Sequence, residues 1–271
     1  MDFCVVIPVF NQLSFTINCL ESLNRSGVSD SDIVVINNAS SDGTAKFLAG
    51  RSELKVIENH ANCGCGFAWN QGVNAALAQW TVLLNNDVLV TAGWKEGLLG
   101  FAEEEKFDVV SPAMSEGDLD YDLTACAATS IQKMARARRK GVASGVCFMV
   151  HRRVFDSIGV FDDDPRLGGY EDDEFFRRAR RAGFRLAITG RAFLHHFGSV
   201  TQKSIQMSWK RPNASLGDRG YYREKYGLTW FKRQRERLRQ NVRSAIWRGS
   251  ERLRFGSTLR TRRIGGVTQF L

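Results

Sequence analysis

The sequence lacks the features that would place a protein across a membrane or in an oxidising compartment. No apolar run approaches the roughly 20 residues that span a bilayer. The first four residues carry no basic charge and the apolar run Val5–Val9 is only as long as a strand, so we expect no signal peptide. Among six cysteines only Cys63 and Cys65 lie close together, at a spacing that suits neither zinc nor a disulfide. These absences predict a cytoplasmic protein with reduced cysteines.

A dinucleotide-binding fingerprint is also missing. Residues 62–72 place small side chains at every second position, in the pattern N-x-G-x-G-x-A-x-N-x-G, which allows a backbone or a ligand to approach closely. The spacing G-x-G-x-x-G does not occur there, and the segment does not follow the first predicted strand. The sequence therefore disfavours a dehydrogenase with a dinucleotide-binding Rossmann fold.

Charge is distributed unevenly along the 271 residues, whose net charge is +9. Residues 201–271 contain 18 Lys and Arg against 4 Asp and Glu, a balance of +14, which leaves −5 for the first 200 residues. A mildly acidic body with a strongly basic tail predicts a polyanionic partner for the tail, either an anionic membrane or a nucleic acid.

The first half of the chain alternates between strand and helix patterns. Short apolar runs are followed by turn residues and then by apolar residues at helical spacing. This alternation predicts a Rossmann-like α/β fold, a mostly parallel sheet with helices on both faces. The predicted strands are Phe3–Val9, Ile33–Ile36, Leu54–Ile57, Thr81–Leu84 and one that contains Val109–Val110; the predicted helices are Ser14–Arg25, one that opens at Asp42–Thr44, Phe67–Ala78 and Trp94–Glu104.

The second half of the chain is less regular. Residues 117–140 are polar and then basic, and we expect a mobile loop or an irregular helix there. From about Ser199 onward the pattern is helical and basic, which predicts a C-terminal extension. Between them we predict a strand at Gly145–Val150, a helix at Asp173–Ala182 and two short strands at Arg185–Ile188 and Ala192–His195.

Two acidic elements stand out as candidates for a functional site. Glu171–Glu174 is a run of four adjacent carboxylates, which requires a cation, an arginine cluster or a catalytic use to be tolerated. Asp87 follows the apolar strand Thr81–Leu84 in the segment Asn85-Asn86-Asp87. Ligands of open α/β sheets bind at the carboxyl ends of the strands. Together the two elements predict a site for a metal-associated diphosphate with chemistry beside it.

The ordered set of motifs resembles family 2 glycosyltransferases of the GT-A fold, in the branch of rhamnosyl- and galactofuranosyl-transferases. The motifs are VVIPVFN, INNASSDGT, the small-residue pattern of 62–72, LLNNDV, ASGVCFMVHRRVFDSIGVFDD, YEDDEFFRRARRAGFRL and GRAFLHHFGS. The resemblance implies a catalytic domain at residues 1–200, with a nucleotide-binding half at about 1–113 and an acceptor-side half at about 114–200. Residues 201–271 would form a basic, mainly helical extension.

The resemblance also implies a divalent cation, Mn²⁺ or Mg²⁺, on the donor diphosphate. In this family the tip of the fourth strand carries a D-x-D-like motif, of which only Asp87 is anionic here. A histidine after the last core strand completes the coordination in many relatives, and by its spacing from Ala192 we expect His195 rather than His196 to do so.

The catalytic base implied by the resemblance is Asp172, with Glu171 beside it in the donor site. An inverting transfer needs one carboxylate that accepts a proton from the acceptor hydroxyl, and the first turn of a helix can present it. Asp173 and Glu174 are expected to stay on the helix surface or to pair with the arginines that follow at helical spacing.

The nucleotide is expected to lie over the first two strands. Pro8, Phe10 and Asn11 would line the base and the ribose, and the Asn37 carbonyl would accept a hydrogen bond from uracil or thymine. The nucleotide-sugar site would also include Asn70, Asn86 and Asp87.

The sequence therefore predicts an inverting transferase that uses a dTDP- or UDP-sugar, with a rhamnose-like sugar favoured. The acceptor would be a glycan or a lipid-linked glycan of cell-surface polysaccharide synthesis. A basic amphipathic helix in the tail favours docking at the inner face of the cell membrane over packing on the catalytic body. One alternative, a sugar-nucleotide pyrophosphorylase, lacks its Gly-rich basic signature after the first strand; the other, a nucleic-acid-binding protein, is disfavoured by the acidic body.

Overall fold

The described residues of this computed structural model, 3–198, 200 and 217–271, form one eleven-stranded sheet with helices packed on both faces. The strands are β1 Phe3–Val9, β2 Ile33–Asn37, β3 Lys55–Glu58, β4 Trp80–Leu84, β5 Val88–Val90, β6 Val109–Gly117, β7 Arg138–Lys140, β8 Cys147–His151, β9 Leu186–His196, β10 Arg260–Ile264 and β11 Val267–Phe270. The helices are α1 Leu13–Arg25, α2 Thr44–Ala49, α3 Cys65–Ala75, α4 Trp94–Glu105, α5 Leu123–Met134, α6 Arg152–Ile158, α7 Glu171–Arg181, α8 Arg219–Lys225 and α9 Trp230–Phe255.

The side-chain alternation of β1 builds two cores at once. Val5 and Ile7 pack in one buried cluster with residues of α1 and α4, whereas Val6 packs in a second with residues of α3 and α7. Both faces of β1 are buried, because neighbouring residues of a strand face opposite sides of the sheet and each side is covered by helices. This explains why the early strands are almost continuously apolar.

The strands of the first half are parallel, as the alternation predicted. β1 pairs with β2 on one side and with β4 on the other, and β2 pairs with β3. The pairing of β1 with β4 stops at Val6, so Pro8, which has no N–H to donate, lies beyond that ladder. The carboxyl ends of β1, β2 and β4 therefore meet at one edge of the sheet.

The second half of the sheet is mixed and more regular than the sequence indicated. β8 lies antiparallel between β4 and β6, and β9 runs parallel to β6. The two short strands expected at 185–195 are one strand, β9, with a register shift opposite Pro112/Ala113 that absorbs the interruption. The loop or irregular helix expected at 117–140 contains the regular helix α5, capped by Asp122, and the short strand β7.

The C-terminal segment combines two helices with two strands that the sequence did not indicate. β10 pairs parallel with β6, and β11 returns antiparallel beside it. The extension thus adds an edge to the central sheet rather than being only helical, while the domain boundary near residue 200 stays a prediction. The helical prediction for residue 199 and residues 201–216 lies outside the described residues. No helix in the described part of the chain has the length and apolar composition needed to cross a bilayer.

Candidate active site

The loops after β1 and β2 are tied together at the carboxyl edge of the sheet. The backbone N–H of Asn11 donates to Ser40 Oγ at 2.8 Å, and Asn11 Oδ1 accepts from the Ser41 N–H at 2.7 Å. Asn11 has a left-handed backbone, with φ of 56°. Asparagine adopts this conformation more readily than most residues, and its two hydrogen bonds join the loop after β1 to the loop after β2.

Asn37 is buried at the end of β2, and its amide is used inside the protein. Its Oδ1 accepts from the Ser40 N–H at 3.1 Å, and its Nδ2 donates to Glu58 Oε2 at 2.7 Å. Glu58 ends β3 and carries an exposed carboxylate at the same edge, which the sequence reasoning missed. Pro8 and Phe10 lie partly exposed beside these loops, and their contact with a nucleotide stays a prediction.

Two asparagines expected in the donor site have other contacts instead. Asn70 donates to the Phe161 carbonyl and accepts from the Phe161 N–H, both at 2.9 Å, so its whole amide holds α3 to the loop before α7. Asn86 is buried and donates to Thr16 Oγ1 of α1 at 3.0 Å. The amide groups of both residues are thus committed to other parts of the fold.

Asp87 is paired with a histidine, but not with the one expected. Its Oδ1 lies 3.3 Å from His196 Nε2, and its Oδ2 accepts from the backbone N–H of Val200 at 3.1 Å. Both side chains are buried, at 4% and 3% exposure. Burial raises the pKa of Asp87, but the hydrogen bond to His196, its charge and the Val200 N–H outweigh it, so the pKa is lowered and the carboxylate stays ionised.

His195 faces the other side of β9, because adjacent residues of a strand alternate. Its Nδ1 lies 2.9 Å from the hydroxyl of Tyr121, and its ring packs edge-on against Phe197. Burial, assisted by the neighbouring charge of His196, lowers the pKa of His195 to about 4, so the imidazole is neutral. The expectation of His195 as the partner of Asp87 is therefore corrected to His196.

The acidic run forms the first turn of α7, where the helix dipole favours negative charge. Glu171 is buried against α3, and it accepts a hydrogen bond from the backbone N–H of Gly66 at the start of that helix. Burial raises the pKa of Glu171 in spite of that bond. Glu174 pairs with Arg178 at 2.8 Å, as the helical spacing predicted. The role of Glu171 in donor binding stays a prediction.

Asp172, unlike Glu174 of the same turn, has no ion pair with an arginine within the described residues. It lies against Gly145, the residue that precedes β8 by two positions, so closely that a Cβ there would stand 1.9 Å from Asp172 Oδ2. Burial raises the pKa of Asp172 to about 7, and the charges of Asp173 and Glu171 add to the shift. A carboxylate with such a pKa can accept a proton near neutral pH.

The residues at this edge partly fit a divalent cation. Asp87 and His196 supply an ionised carboxylate and an imidazole, ligands that suit Mn²⁺ well and Mg²⁺ less well. No cluster of three or more such side chains occurs within residues 3–198, 200 and 217–271. A cation here would hence take its remaining ligands from water and from a bound diphosphate.

Sequence reasoning found both acids but missed the residues that set their environments. The alternation of side chains along a strand could have identified the histidine. Residues on one face of β9 are separated by even numbers of positions, so His195 and His196 cannot both face Asp87. Gly145 had a weaker signal, a glycine at the entry to a buried strand, which can mark a close approach. Tyr121 gave none, because it lies in the polar segment before α5.

Comparison with known proteins identifies the family of the chain. The family model described as Glycosyl transferase family 2 matches residues 4–159, more than half of the chain. The chain is 26% identical over 220 residues to the uncharacterized protein Rv1525 of Mycobacterium tuberculosis, which covers 74% of this chain and 76% of that protein. It is 27% identical over 188 residues to the uncharacterized glycosyltransferase YwdF of Bacillus subtilis, which covers 67% of this chain and 69% of that protein.

Solved structures share the fold. TarS 1–349 of Staphylococcus aureus is 18% identical with a TM-score of 0.56, and the match covers 72% of this chain. The mannosyltransferase PcManGT of Pyrobaculum calidifontis, solved with GDP-Man and Mn²⁺, is 16% identical with a TM-score of 0.57, and covers 76% of this chain. This chain spans 60% of the length of each. At these identities the likeness shows the fold alone, and the predicted GT-A class is confirmed.

Proposed function

The chain belongs to glycosyl transferase family 2, and from that premise we propose that it is an inverting enzyme that uses a dTDP- or UDP-sugar. The sugar moves to a hydroxyl of a glycan or a lipid-linked glycan, in the synthesis of a cell-surface polysaccharide. A rhamnose-like sugar is favoured by the resemblance of the motifs to the rhamnosyltransferase branch. Solved structures of the same fold contain UDP with Mn²⁺ or GDP-Man with Mn²⁺, which supports a nucleotide-sugar donor.

The observation that carries the proposal is the environment of Asp172. This carboxylate stands at the first turn of α7 without a neutralising partner among the described residues, and its pKa is raised to about 7. Asp172 accepts the proton of the acceptor hydroxyl as that oxygen bonds to the anomeric carbon and the bond from this carbon to the diphosphate breaks. A single displacement of this kind inverts the anomeric configuration and needs only one base.

Asp87 and His196 have a different role in the proposal, because they bind the cation and do not exchange a proton. They would hold Mn²⁺ or Mg²⁺ at the carboxyl end of β4, and the cation supplies charge neutralisation for the departing diphosphate. The lowered pKa of Asp87 keeps this carboxylate charged through the neutral range, so it stays a ligand while Asp172 exchanges a proton.

A screen of nucleotide sugars tests the donor part of the proposal. We expect dTDP- or UDP-sugars to raise the melting temperature in the presence of Mn²⁺, and to do so less in excess EDTA. The sugar that stabilises most is then offered with glycan acceptors, and the product anomer is determined by NMR. Stabilisation by nucleotides of another base alone, or a product that retains the anomeric configuration, contradicts the proposal.

We further propose that α9 docks on an anionic membrane. Its apolar residues Phe231, Leu238, Val242, Ile246 and Leu253 recur at helical spacing, and each is between 51% and 88% exposed. This exposure within the described residues argues against the alternative that the face packs on the catalytic body. Trp247 of the same helix is half-buried under Arg139 and Arg243.

The charge of α9 suits an anionic surface. The helix carries nine Lys and Arg and two Glu. Both glutamates are already paired, Glu236 with Arg177 at 3.4 Å and Glu251 with Arg139 at 2.8 Å. Each basic residue near an anionic membrane contributes about 1 kcal/mol, so several are sufficient for reversible binding. A peripheral position at the inner face of the cell membrane would bring a lipid-linked acceptor to the enzyme.

Vesicle binding tests this surface. Full-length protein should sediment with vesicles of anionic lipid at low salt, and less as salt screens the attraction. Leu238→Glu should reduce binding, whereas the same change at Leu77, which is 85% exposed outside α9, should not. Removal of α9 is not a suitable test, because it would also remove Glu251 and Trp247, which contact Arg139 of β7. Failure of the full-length protein to bind, or a preference for DNA in a gel shift, contradicts this proposal.

A further inference from the structure

A cluster of tyrosines and arginines stands beside the first turn of α7. Tyr170 directly precedes Glu171, and its ring stacks on that of Tyr222 in α8 with centroids 5.5 Å apart and planes 26° apart. Arg219 Nε donates to the Tyr170 hydroxyl at 2.5 Å. The two rings are only partly buried and Arg219 is exposed, so the cluster presents an accessible surface two residues from Asp172.

The cluster is fixed to the loop that leads into α7. The Asp218 N–H donates to the Arg166 carbonyl at 2.7 Å, and Asp218 then caps α8 by accepting from Gly220. Gly217 lies so close to this loop that a Cβ would stand 2.3 Å from the Gly168 carbonyl oxygen. α8 is therefore held in register with the segment 166–172, which places Arg219 and Tyr222 rather than leaving them on a free tail.

Two of the basic side chains around the cluster are paired with acids, and two on α8 are not. Arg166 pairs with Asp164, and Lys225 pairs with Asp162. Among the described residues no carboxylate pairs with Arg219 or Arg223, which lie one turn apart on α8. Only Arg219 also touches Tyr170. A guanidinium that is oriented by a tyrosine hydroxyl and lacks an acidic partner suits an anionic ligand group.

We propose that Tyr170, Tyr222 and Arg219 form an acceptor subsite for a sugar that carries an anionic group, either a phosphate or a carboxylate. The apolar C–H face of the sugar ring packs on the face of Tyr170 that Tyr222 leaves uncovered, and the anionic group binds Arg219. This arrangement places an acceptor hydroxyl next to Asp172. The inference rests on the proposed function, since it assigns the acceptor side of the same site.

Saturation-transfer NMR with defined probes tests the subsite. The probes are methyl glycosides of common hexoses and deoxyhexoses, the matching sugar 1-phosphates, and the matching uronic acids. The sugar 1-phosphates or the uronic acids should bind more tightly than the neutral glycosides, and whichever of the two binds identifies the source of the anionic group. UDP and dTDP with Mn²⁺ are measured in parallel to report on the donor site.

The variants separate stacking from charge. Arg219→Ala should weaken binding of the anionic probes about tenfold, near the contribution of one charge-assisted hydrogen bond, and should leave neutral glycosides unchanged. Tyr170→Ala should weaken both classes of probe, and Tyr170→Phe should retain the neutral glycosides. Arg223→Ala is the matched control, because it removes the same charge from the same helix without a contact to Tyr170.

Several results overturn the subsite. They are equal losses for Arg219→Ala and Arg223→Ala, unchanged probe binding in Tyr170→Ala, or absence of probe binding by a wild-type protein that binds UDP or dTDP. In each of these the donor site is intact and only the acceptor assignment is wrong. Absence of nucleotide binding by the wild-type protein would instead count against the proposed function itself.

Discussion

Asp87 and Asp172 are two largely buried acids of one sheet-and-helix framework, and their surroundings drive them in opposite directions. Asp87 accepts from a histidine and from a backbone N–H, which outweighs burial and lowers its pKa. Asp172 lies against a glycine backbone with two acidic neighbours, and burial raises its pKa to about 7. The difference shows that the partners of a carboxylate, rather than its burial alone, decide whether it stays charged or exchanges protons.

The largest expected effect is on turnover. Asp172→Asn keeps the shape beside Gly145 but cannot accept a proton, so we expect kcat to fall by about 10²–10⁴ with nucleotide binding nearly intact. Because the raised pKa means that ionising Asp172 costs folding free energy above its unfolded pKa, the variant should melt no lower than wild type at pH 8. Steady-state kinetics and calorimetry check this, and near wild-type turnover would refute the assignment.

Disturbing the contact between Asp172 and Gly145 should lower kcat almost as much. The backbone there is not left-handed, so Gly145→Ala acts through the clash of its Cβ with the Asp172 carboxylate. A displacement of about 1 Å is enough to lower kcat on the order of 10²-fold. The control is Gly249→Ala, in a helix with open space around it, which should leave kcat unchanged. Equal kinetics for the two variants would mean that Asp172 does not need this position.

Substitution of Asp87, the acid paired with His196, should weaken nucleotide binding more than it lowers kcat. Asp87→Asn removes the anionic ligand, and we expect nucleotide affinity in Mn²⁺ to fall by about 10- to 100-fold, with little change in EDTA. His196→Gln should have a smaller effect of the same kind, and His195→Gln should not change the metal dependence. Isothermal titration with and without Mn²⁺ measures this. A larger loss of metal dependence in His195→Gln would reverse the choice of histidine.

The smallest effect is a shift in the pH profile. A base acts when ionised, so kcat/KM should rise with pH through a midpoint near 7 and fall off below it. Asp173→Asn removes a neighbouring negative charge that raises the pKa of Asp172, so the midpoint should move to lower pH by a fraction of a unit. A midpoint that stays in place, or moves to higher pH, would show that Asp172 does not determine the rise of kcat/KM with pH.

The sequence was sufficient where the signal was local. The apolar runs of β1, β2 and β4 and the helical spacing of α1 and α4 are properties of neighbouring residues, and these elements lie within a few residues of their predicted bounds. The acidic residues at the tip of β4 and at the start of α7 were singled out for the same reason. Each follows or opens a regular element that the periodicity marks.

Prediction failed where a side chain depends on residues far away in the chain. The direction of Asn70 is decided by Phe161 and that of Asn86 by Thr16, at separations of 91 and 70 residues. The choice between His195 and His196 depends on the register of β9 against β6 and β5. β10 is rich in arginine and is a strand because β6 offers it an edge, which no local propensity encodes.

The buried pair of Arg139 and Glu251 has a consequence for the order in which the molecule assembles. The two residues are 112 positions apart, and Glu251 also accepts from the Leu259 N–H. On the ribosome Glu251 emerges 112 positions after Arg139, so this pair forms only once the C-terminal segment has been made. Breaking a buried pair of this kind in the finished fold costs about 3–5 kcal/mol. The enzyme should therefore reach its full stability only when its basic helix is in place.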